Sequence, residues 1–196
     1  KTREQLLQEK STGLVPEIDA ATQARFDAGH ASEAAARPIV EAILGTELFP
    51  ATATTDMDGL LLLASFDGIS MGEDILWENK LANSRNGGNL AALIDAEHWP
   101  QLEAQMMVAD AKRIYFTVSD GTEEGTHGVS YESRPARRAQ LLAAWKQFRE
   151  DLDGYHPVEE KPAATGKVPE TLPALRIEVT GMVTASNLTE FRQTAL

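Results

Sequence analysis

Two acids and a lysine stand where two neighbouring apolar segments end: Asp67 closes the first, and Glu78 and Lys80 close the second. Side chains alternate between the two faces of a strand, so Glu78 and Lys80 share one face while Trp77 and Asn79 share the other. If the two strands pair across the short turn between them, Asp67 lies beside Glu78. Two converging carboxylates form the kind of oxygen site that Mg²⁺ prefers.

Such a site has the parts that hydrolysis of a phosphodiester requires. A bound metal ion lowers the pKa of its water, and a second ion about 3.5–4 Å away can stabilise the leaving oxygen. Lys80 would offset the negative charge that develops on the phosphate. An acid followed by Glu-x-Lys also occurs as a solvated strand face, so the spacing alone leaves both readings open. The apolar segments that precede each acid favour the site.

The composition of the chain limits which metal ligands are available and indicates the cellular location of the protein. The 196-residue chain has no cysteine, so a metal must bind to oxygen or imidazole ligands. The start of the chain does not resemble a signal peptide, and the apolar run Leu60–Ala64 is too short to span a bilayer, so we expect a soluble protein of the cytoplasm. The net charge of −12 is unfavourable for binding DNA, and a local basic patch would have to compensate.

Hydrophobic periodicity and turn residues predict an α/β domain with a mixed central sheet flanked by helices. Ser133 is expected to cap the last helix, and Pro38 to kink or break the second one. The expected helices cover about residues 3–10, 20–44, 98–109 and 134–152, and the expected strands about residues 51–55, 60–66, 75–80, 114–118 and 127–131.

The chain divides into three parts by composition. Residues 1–154 form the predicted domain. Residues 155–173 contain four prolines and no apolar periodicity, which is typical of a linker. Residues 174–196 resemble a strand followed by a short helix, too small for a core of their own, and we expect a truncated or appended module there.

Residues 1–152 resemble the PD-(D/E)xK nuclease superfamily, whose core is that of restriction endonucleases, and more narrowly the phage lambda exonuclease family. The resemblance rests on matches to the family's motifs: Phe66-Asp67-Gly68 in place of Pro-Asp-Gly, Glu78-Asn79-Lys80, the segment of residues 12–17, Gly29 to Glu33 on the second helix, and residues 101–108 with the strand that follows.

The resemblance implies a processive exonuclease that degrades one strand of linear duplex DNA from the 5′ end and leaves 3′ overhangs for recombination. It implies two Mg²⁺ ions, with Mn²⁺ as a substitute, a ring-shaped homotrimer, and a phage single-strand annealing protein as partner in a bacterial host cell. Carried over by residue, Asp67, Glu78 and the Asn79 carbonyl bind metal, Glu33 supports the second ion, Lys80 is catalytic, and Gln101 lines the pocket. The candidate DNA-binding residues are Ser84, Arg85, Arg113 and Arg137.

Two departures from the family leave alternatives open. Asn79 stands where an apolar residue is usual, and the family's Arg-containing segment that binds the 5′ phosphate has no counterpart, so we expect further N-terminal residues. The alternatives are a restriction or repair endonuclease of the same superfamily and a nuclease-like protein that binds DNA without cutting it. His30, one helical turn before Glu33, is interpreted as a surface or supporting residue rather than a metal ligand.

Overall fold

The computed structural model describes residues 1–14, 17–72, 74–83, 86 and 88–157. The candidate DNA-binding residues Ser84 and Arg85 lie outside this part of the chain. The same holds for the predicted C-terminal module and for nearly all of the predicted linker, so their expected organisation stays a prediction. In the described ranges, no helix combines the length and apolar character needed to cross a membrane.

The domain consists of five α-helices and five β-strands in these ranges, and a π-helical turn, Ile94–His98, joins two of the helices. The helices are α1 (Arg3–Thr12), α2 (Ala20–Leu44), α3 (Leu90–Leu93), α4 (Trp99–Val108) and α5 (Pro135–Asp153). The strands are β1 (Phe49–Met57), β2 (Leu60–Ile69), β3 (Leu76–Leu81), β4 (Arg113–Ser119) and β5 (His127–Glu132).

The strands form one sheet in the order β1-β2-β3-β4-β5, with β3 and β4 parallel and the other neighbours antiparallel. The predicted mixed sheet is therefore confirmed. The pairing of β2 with β3 is short: its register covers Gly68 with Trp77 and Ile69 with Leu76. Asp67 lies just before this paired stretch, where the two backbones separate.

A β-bulge interrupts β2 at this point. Phe49 pairs with Ile69, and the next pair is Ala51 with Phe66. Between these two pairs β1 covers two residue steps and β2 covers three, so β2 has one extra residue. Phe66 and Ile69 accordingly pack into the same hydrophobic cluster although strict alternation would place them on opposite faces. Bulges redirect side chains, and they are frequent beside active sites. Here the redirected residue is Asp67.

Both faces of the sheet are covered by helices. On one face the core gathers around Leu76, Leu102, Met106 and Phe116, all fully buried, between the sheet and α4. On the other face α2 packs on β3 around the fully buried Trp77. Alternation along β3 therefore directs Leu76 toward α4 and Trp77 toward α2, which fixes the directions of the residues that follow.

Pro38 was expected to kink or break the second helix, and the break does not occur, since α2 runs without interruption from Ala20 to Leu44. A proline inside a helix removes one backbone hydrogen bond. Ala36 and Val40, on either side of Pro38, are fully buried against the sheet. Packing of this helical face against β3 favours continuity despite the lost bond.

One short helix and one helix cap differ from the sequence prediction. The helix predicted over about residues 98–109 is observed as α4, and it is preceded by α3, which was not predicted and in which the Asn89 side chain accepts a hydrogen bond from the Ala92 N–H. Ser133 does not cap α5: its hydroxyl donates to Glu103 instead, and the N-cap position belongs to Arg134, which has no side-chain cap bond. The Arg134 N–H also donates to Glu103, at 2.7 Å. A buried carboxylate from α4 thus binds the two residues that precede α5.

Candidate active site

Asp67 and Glu78 meet where β2 and β3 separate. The bulge turns Asp67 toward β3, and its Oδ2 accepts a hydrogen bond from the Asn79 N–H at 2.7 Å. Gly68 is required next to it, because a Cβ at this position would lie 2.9 Å from both Leu48 Cβ and Trp77 Cε3. The expectation that Asp67 lies beside Glu78 agrees with this geometry, because the register of β2 with β3, continued by one residue, places Asp67 opposite Glu78.

Glu78 is buried, and both of its carboxylate oxygens accept hydrogen bonds. Oε1 accepts from Lys80 Nζ at 2.6 Å and from Gln101 Nε2 at 2.7 Å, and Oε2 accepts from Gln105 Nε2 at 2.6 Å. Lys80 also donates to Gln101 Oε1 at 3.0 Å. The structure therefore brings together Glu78, Lys80 and Gln101, as the sequence predicted, and adds Gln105.

The environment of Asp67 disfavours its charged form. Burial raises the pKa of Asp67 to about 7, and the nearby carboxylates of Glu78 and Glu33 act in the same direction. The Asn79 N–H and the Lys80 ammonium act in the opposite direction and do not compensate. The site therefore concentrates negative charge in a partly desolvated space, and a bound cation would relieve this cost.

Glu33 approaches this acidic pair from α2. Its carboxylate accepts a hydrogen bond at 2.5 Å from NH2 of Arg37, which lies one helical turn further on along the same face of α2. Arg37 also donates to the Leu48 carbonyl at 3.3 Å and lies over the Trp77 ring, 5.6 Å from its centroid. The arginine thus links α2 to the segment before β1 and holds Glu33 beside the site.

Asn79 faces α2, in the direction that the alternation of β3 predicts, and both polar atoms of its side chain are hydrogen bonded. Trp77 Nε1 donates to Thr117 Oγ1 at 2.8 Å, and Thr117 Oγ1 donates to Asn79 Oδ1 at 2.8 Å. Asn79 Nδ2 donates to Ser32 Oγ at 3.2 Å, and Ser32 Oγ donates to the Ser119 carbonyl at 2.8 Å. This polar departure from the family is therefore accommodated by partners on α2 and β4.

The oxygen ligands at this point fit a divalent cation such as Mg²⁺. The N–H and C=O of one strand residue point to the same side, so the Asn79 carbonyl points toward β2, as does its N–H that donates to Asp67. Within the described ranges, no group of three or more His, Asp or Glu side chains is close enough to hold a metal. Mg²⁺ typically uses one or two carboxylates and completes its shell with water and substrate phosphates. Two carboxylates and one carbonyl meet that need.

The structure does not bring Arg113 and Arg137 to the acidic pair. Arg113 precedes Ile114, which pairs with Leu76, whereas Lys80 pairs with Val118 at the other end of these strands. Glu78 itself pairs with Phe116, three residues along β4 from Arg113, a separation on the order of 10 Å. Arg137 donates to Asp95 at 2.8 Å and to the Tyr131 hydroxyl at 3.1 Å, and it lies over the Trp99 ring.

Two residues near the site were not predicted from the sequence. Gln105 lies four positions after Gln101, a spacing that places both amides on one helical face, and this signal was available. His98 is half-buried, with its ring centroid 5.2 Å from that of Phe116. Burial and the nearby Lys80 ammonium lower the pKa of His98. His30 is exposed on α2.

Comparison with known proteins gives structural matches. No protein-family model matches the chain, and no curated protein matches it. The fold is similar to the crystal structure of an alkaline exonuclease, LHK-Exo, from Laribacter hongkongensis, with a TM-score of 0.58 and 21% sequence identity over 78% of each chain. The structure of LHK-Exo in complex with dAMP matches with a TM-score of 0.59 and 20% identity, again over 78% of each chain. The chain therefore has the mixed α/β fold of an alkaline exonuclease.

Proposed function

We propose that this protein is a metal-dependent nuclease that hydrolyses phosphodiester bonds in DNA. The observation that carries the proposal is the convergence of Asp67, Glu78 and Lys80 at the point where β2 and β3 separate. The fold similarity to an alkaline exonuclease supports it, and one of the similar structures is a complex of that enzyme with dAMP, a deoxynucleotide.

Asp67, Glu78 and the Asn79 carbonyl would hold one ion, and Glu33 would support a second. A bound Mg²⁺ supplies an activated water and neutralises charge on the phosphate. Glu78 is buried and the pKa of Asp67 is raised, so a negative charge on either carboxylate is unfavourable in the metal-free site. A cation bound between the two carboxylates would offset this charge.

The side chains on the solvent side of the site act on the substrate. Lys80 is partly exposed, with 28% of its side chain accessible, and its ammonium can reach a phosphate oxygen while Glu78 holds it in place. A cation at that position stabilises the negative charge that grows on the phosphate as the bond breaks. Gln101 hydrogen bonds to both Lys80 and Glu78 and so fixes their relative position.

We further propose the finer activity that the resemblance implies: Mg²⁺-dependent degradation of one strand of linear duplex DNA from its 5′ end, by a ring of three subunits. The net charge of the chain is −12, and an acidic exterior repels DNA. This charge supports a DNA path that is confined to one channel lined by cationic side chains. Restriction-type or repair-type cleavage and binding without cleavage are the alternatives.

A digestion assay tests the proposal. Linear duplex labelled at the 5′ or the 3′ end and covalently closed circles are incubated with Mg²⁺, with Mn²⁺, or with a chelator. We expect metal-dependent release of nucleotides from the labelled 5′ end, intact circles, and loss of activity in a folded Glu78→Ala variant. Cleavage of closed circles would identify an endonuclease. If neither ion supports any release, the enzymatic proposal is wrong and DNA binding without cleavage is the alternative to examine.

A further inference from the structure

We infer that Gln105 is a positioning residue that fixes the metal-binding carboxylate of Glu78, an inference that rests on the proposed function. Gln105 lies on α4, is 2% exposed, and reaches the site from beneath, whereas Gln101 and Lys80 reach it from the solvent side. Its side-chain amide is therefore not placed to contact DNA, and any effect on activity must pass through Glu78.

The Gln105 amide joins Glu78 to the neighbouring strand. Nε2 donates to Glu78 Oε2 at 2.6 Å and to the Ser65 carbonyl of β2 at 2.8 Å. One NH₂ group thus connects the acid of β3 with the backbone of β2, two residues before Asp67. This single side chain bridges the two strands that supply the acidic pair.

The orientation of the amide follows from its surroundings. Rotating it by half a turn would place Oε1 against the Glu78 carboxylate and the Ser65 carbonyl, which are both acceptors. In the observed orientation Oε1 has no hydrogen-bond partner, the one such buried side-chain atom among the residues that the structure describes. A leucine or methionine would fill the space without the unpaired Oε1, but it would leave Glu78 Oε2 without the hydrogen bond that Gln105 donates. The costly amide is explained if its donated bonds hold Glu78.

The two oxygens of Glu78 therefore have different tasks. Oε2 is held inside the protein by Gln105, and Oε1 is directed to the solvent side, where Lys80 and Gln101 contact it. A carboxylate fixed in this way loses less rotational freedom when it binds an ion. Residues that orient metal ligands typically change metal affinity 10–100-fold when they are replaced.

Isothermal titration of the full chain with Mn²⁺, without DNA, tests this role in the wild type and in Gln105→Met, which keeps the volume and removes the amide. We expect about a tenfold or greater increase in the Mn²⁺ dissociation constant for Gln105→Met. Nuclease activity of this variant should fall at limiting Mn²⁺ and recover at saturating Mn²⁺, which a purely structural defect would not show. Gln147→Met is the matched control, because Gln147 bonds to Asp151 on the exposed surface of α5.

The outcomes of this titration test the positioning role of Gln105 separately from the proposed metal site. An unchanged Mn²⁺ dissociation constant in a folded Gln105→Met variant overturns the positioning role and leaves the proposed nuclease intact. A wild-type protein that binds no Mn²⁺ overturns the metal site and this inference with it. If Gln105→Met does not fold, Gln105→Asn replaces it, since the shorter amide cannot reach Glu78 and Ser65 together. The same comparison of dissociation constants then applies.

Discussion

Asp67 and Glu78 are the same kind of acid in two different settings. Glu78 accepts three hydrogen bonds, two from uncharged amides and one from an ammonium group. Asp67 accepts one hydrogen bond, from a backbone N–H, and has two other carboxylates nearby. The first acid is held in a fixed position, and the second has a raised pKa. At the scale of single residues, this difference leads to two predictions.

The first prediction concerns the stability of the metal-free protein as a function of pH. The folded-state pKa of Asp67, about 7, lies above its ordinary value of 3.8. Asp67 therefore contributes stability that is fully present below about pH 4 and is lost as the pH rises through about 7. In chelator, the urea midpoint of the wild type should fall more between pH 5 and pH 8 than that of Asp67→Asn. Equal slopes in the two proteins would contradict the assignment.

The second prediction separates chemistry from metal binding at Lys80. Lys80→Met removes the ammonium and leaves both carboxylates in place. We expect the rate of DNA hydrolysis to fall by about 10²–10³-fold, the usual effect of losing a group that stabilises transition-state charge. Mn²⁺ affinity measured by titration should be retained or tighter, because Lys80 no longer competes for Glu78 Oε1. Loss of Mn²⁺ binding in this variant would instead assign Lys80 a role in building the metal site.

At the scale of the secondary structure elements, the parts that follow from local periodicity were predictable. The faces of β3 follow from alternation, and the pairing of Glu33 with Arg37 follows from helical spacing. The bulge in β2 was not predictable, because it depends on how β1 and β2 register against each other over the core. The start of α5 was predicted to within one residue, but the loss of the expected Ser133 cap was not predictable, since the Ser133 hydroxyl and the Arg134 N–H both donate to Glu103, which is distant in sequence.

The third prediction concerns the connection between α2 and β3. Asn79→Val introduces the apolar residue that is usual in the family that the sequence resembles, but it leaves Ser32 and Thr117 with unpaired groups in a buried space. We expect the free energy of unfolding to fall by about 1–3 kcal/mol. Ser32→Ala should cost less in the Asn79→Val background than in the wild type, because the two residues share a hydrogen bond. Urea denaturation of the four proteins measures this, and additive effects would contradict the coupling.

At the scale of the whole molecule, the notable property is acidity. The sequence has 30 acidic residues against 18 lysines and arginines, and several of the cations are already paired within the domain, among them Arg37, Arg137 and Arg138. Lysine and arginine side chains available for non-specific binding to DNA phosphates are therefore scarce on the surface of the described residues. Productive binding should therefore depend on few phosphate contacts, and we expect its affinity to fall less steeply with added salt than that of a protein that makes many such contacts.

The fourth prediction is that the protein assembles into a ring of three. Several subunits that face one channel would concentrate the few available cations on the DNA, which a single acidic subunit does not do. Light scattering coupled to size-exclusion chromatography should give three times the mass of the chain at low and at moderate salt. A monomer that digests linear DNA at full rate would show that the ring is not needed for activity.

The hydrogen bond from the Asn79 N–H to Asp67 has a consequence for observing this protein in solution. The carboxylate takes the position that a β2 carbonyl would occupy in a continuing sheet, so one amide proton belongs to the sheet and to the site together. Its NMR resonance and its rate of exchange with deuterium should respond to whatever occupies or protonates Asp67. The backbone of Asn79 thus provides a built-in reporter of the site that requires no substitution and no label on the substrate.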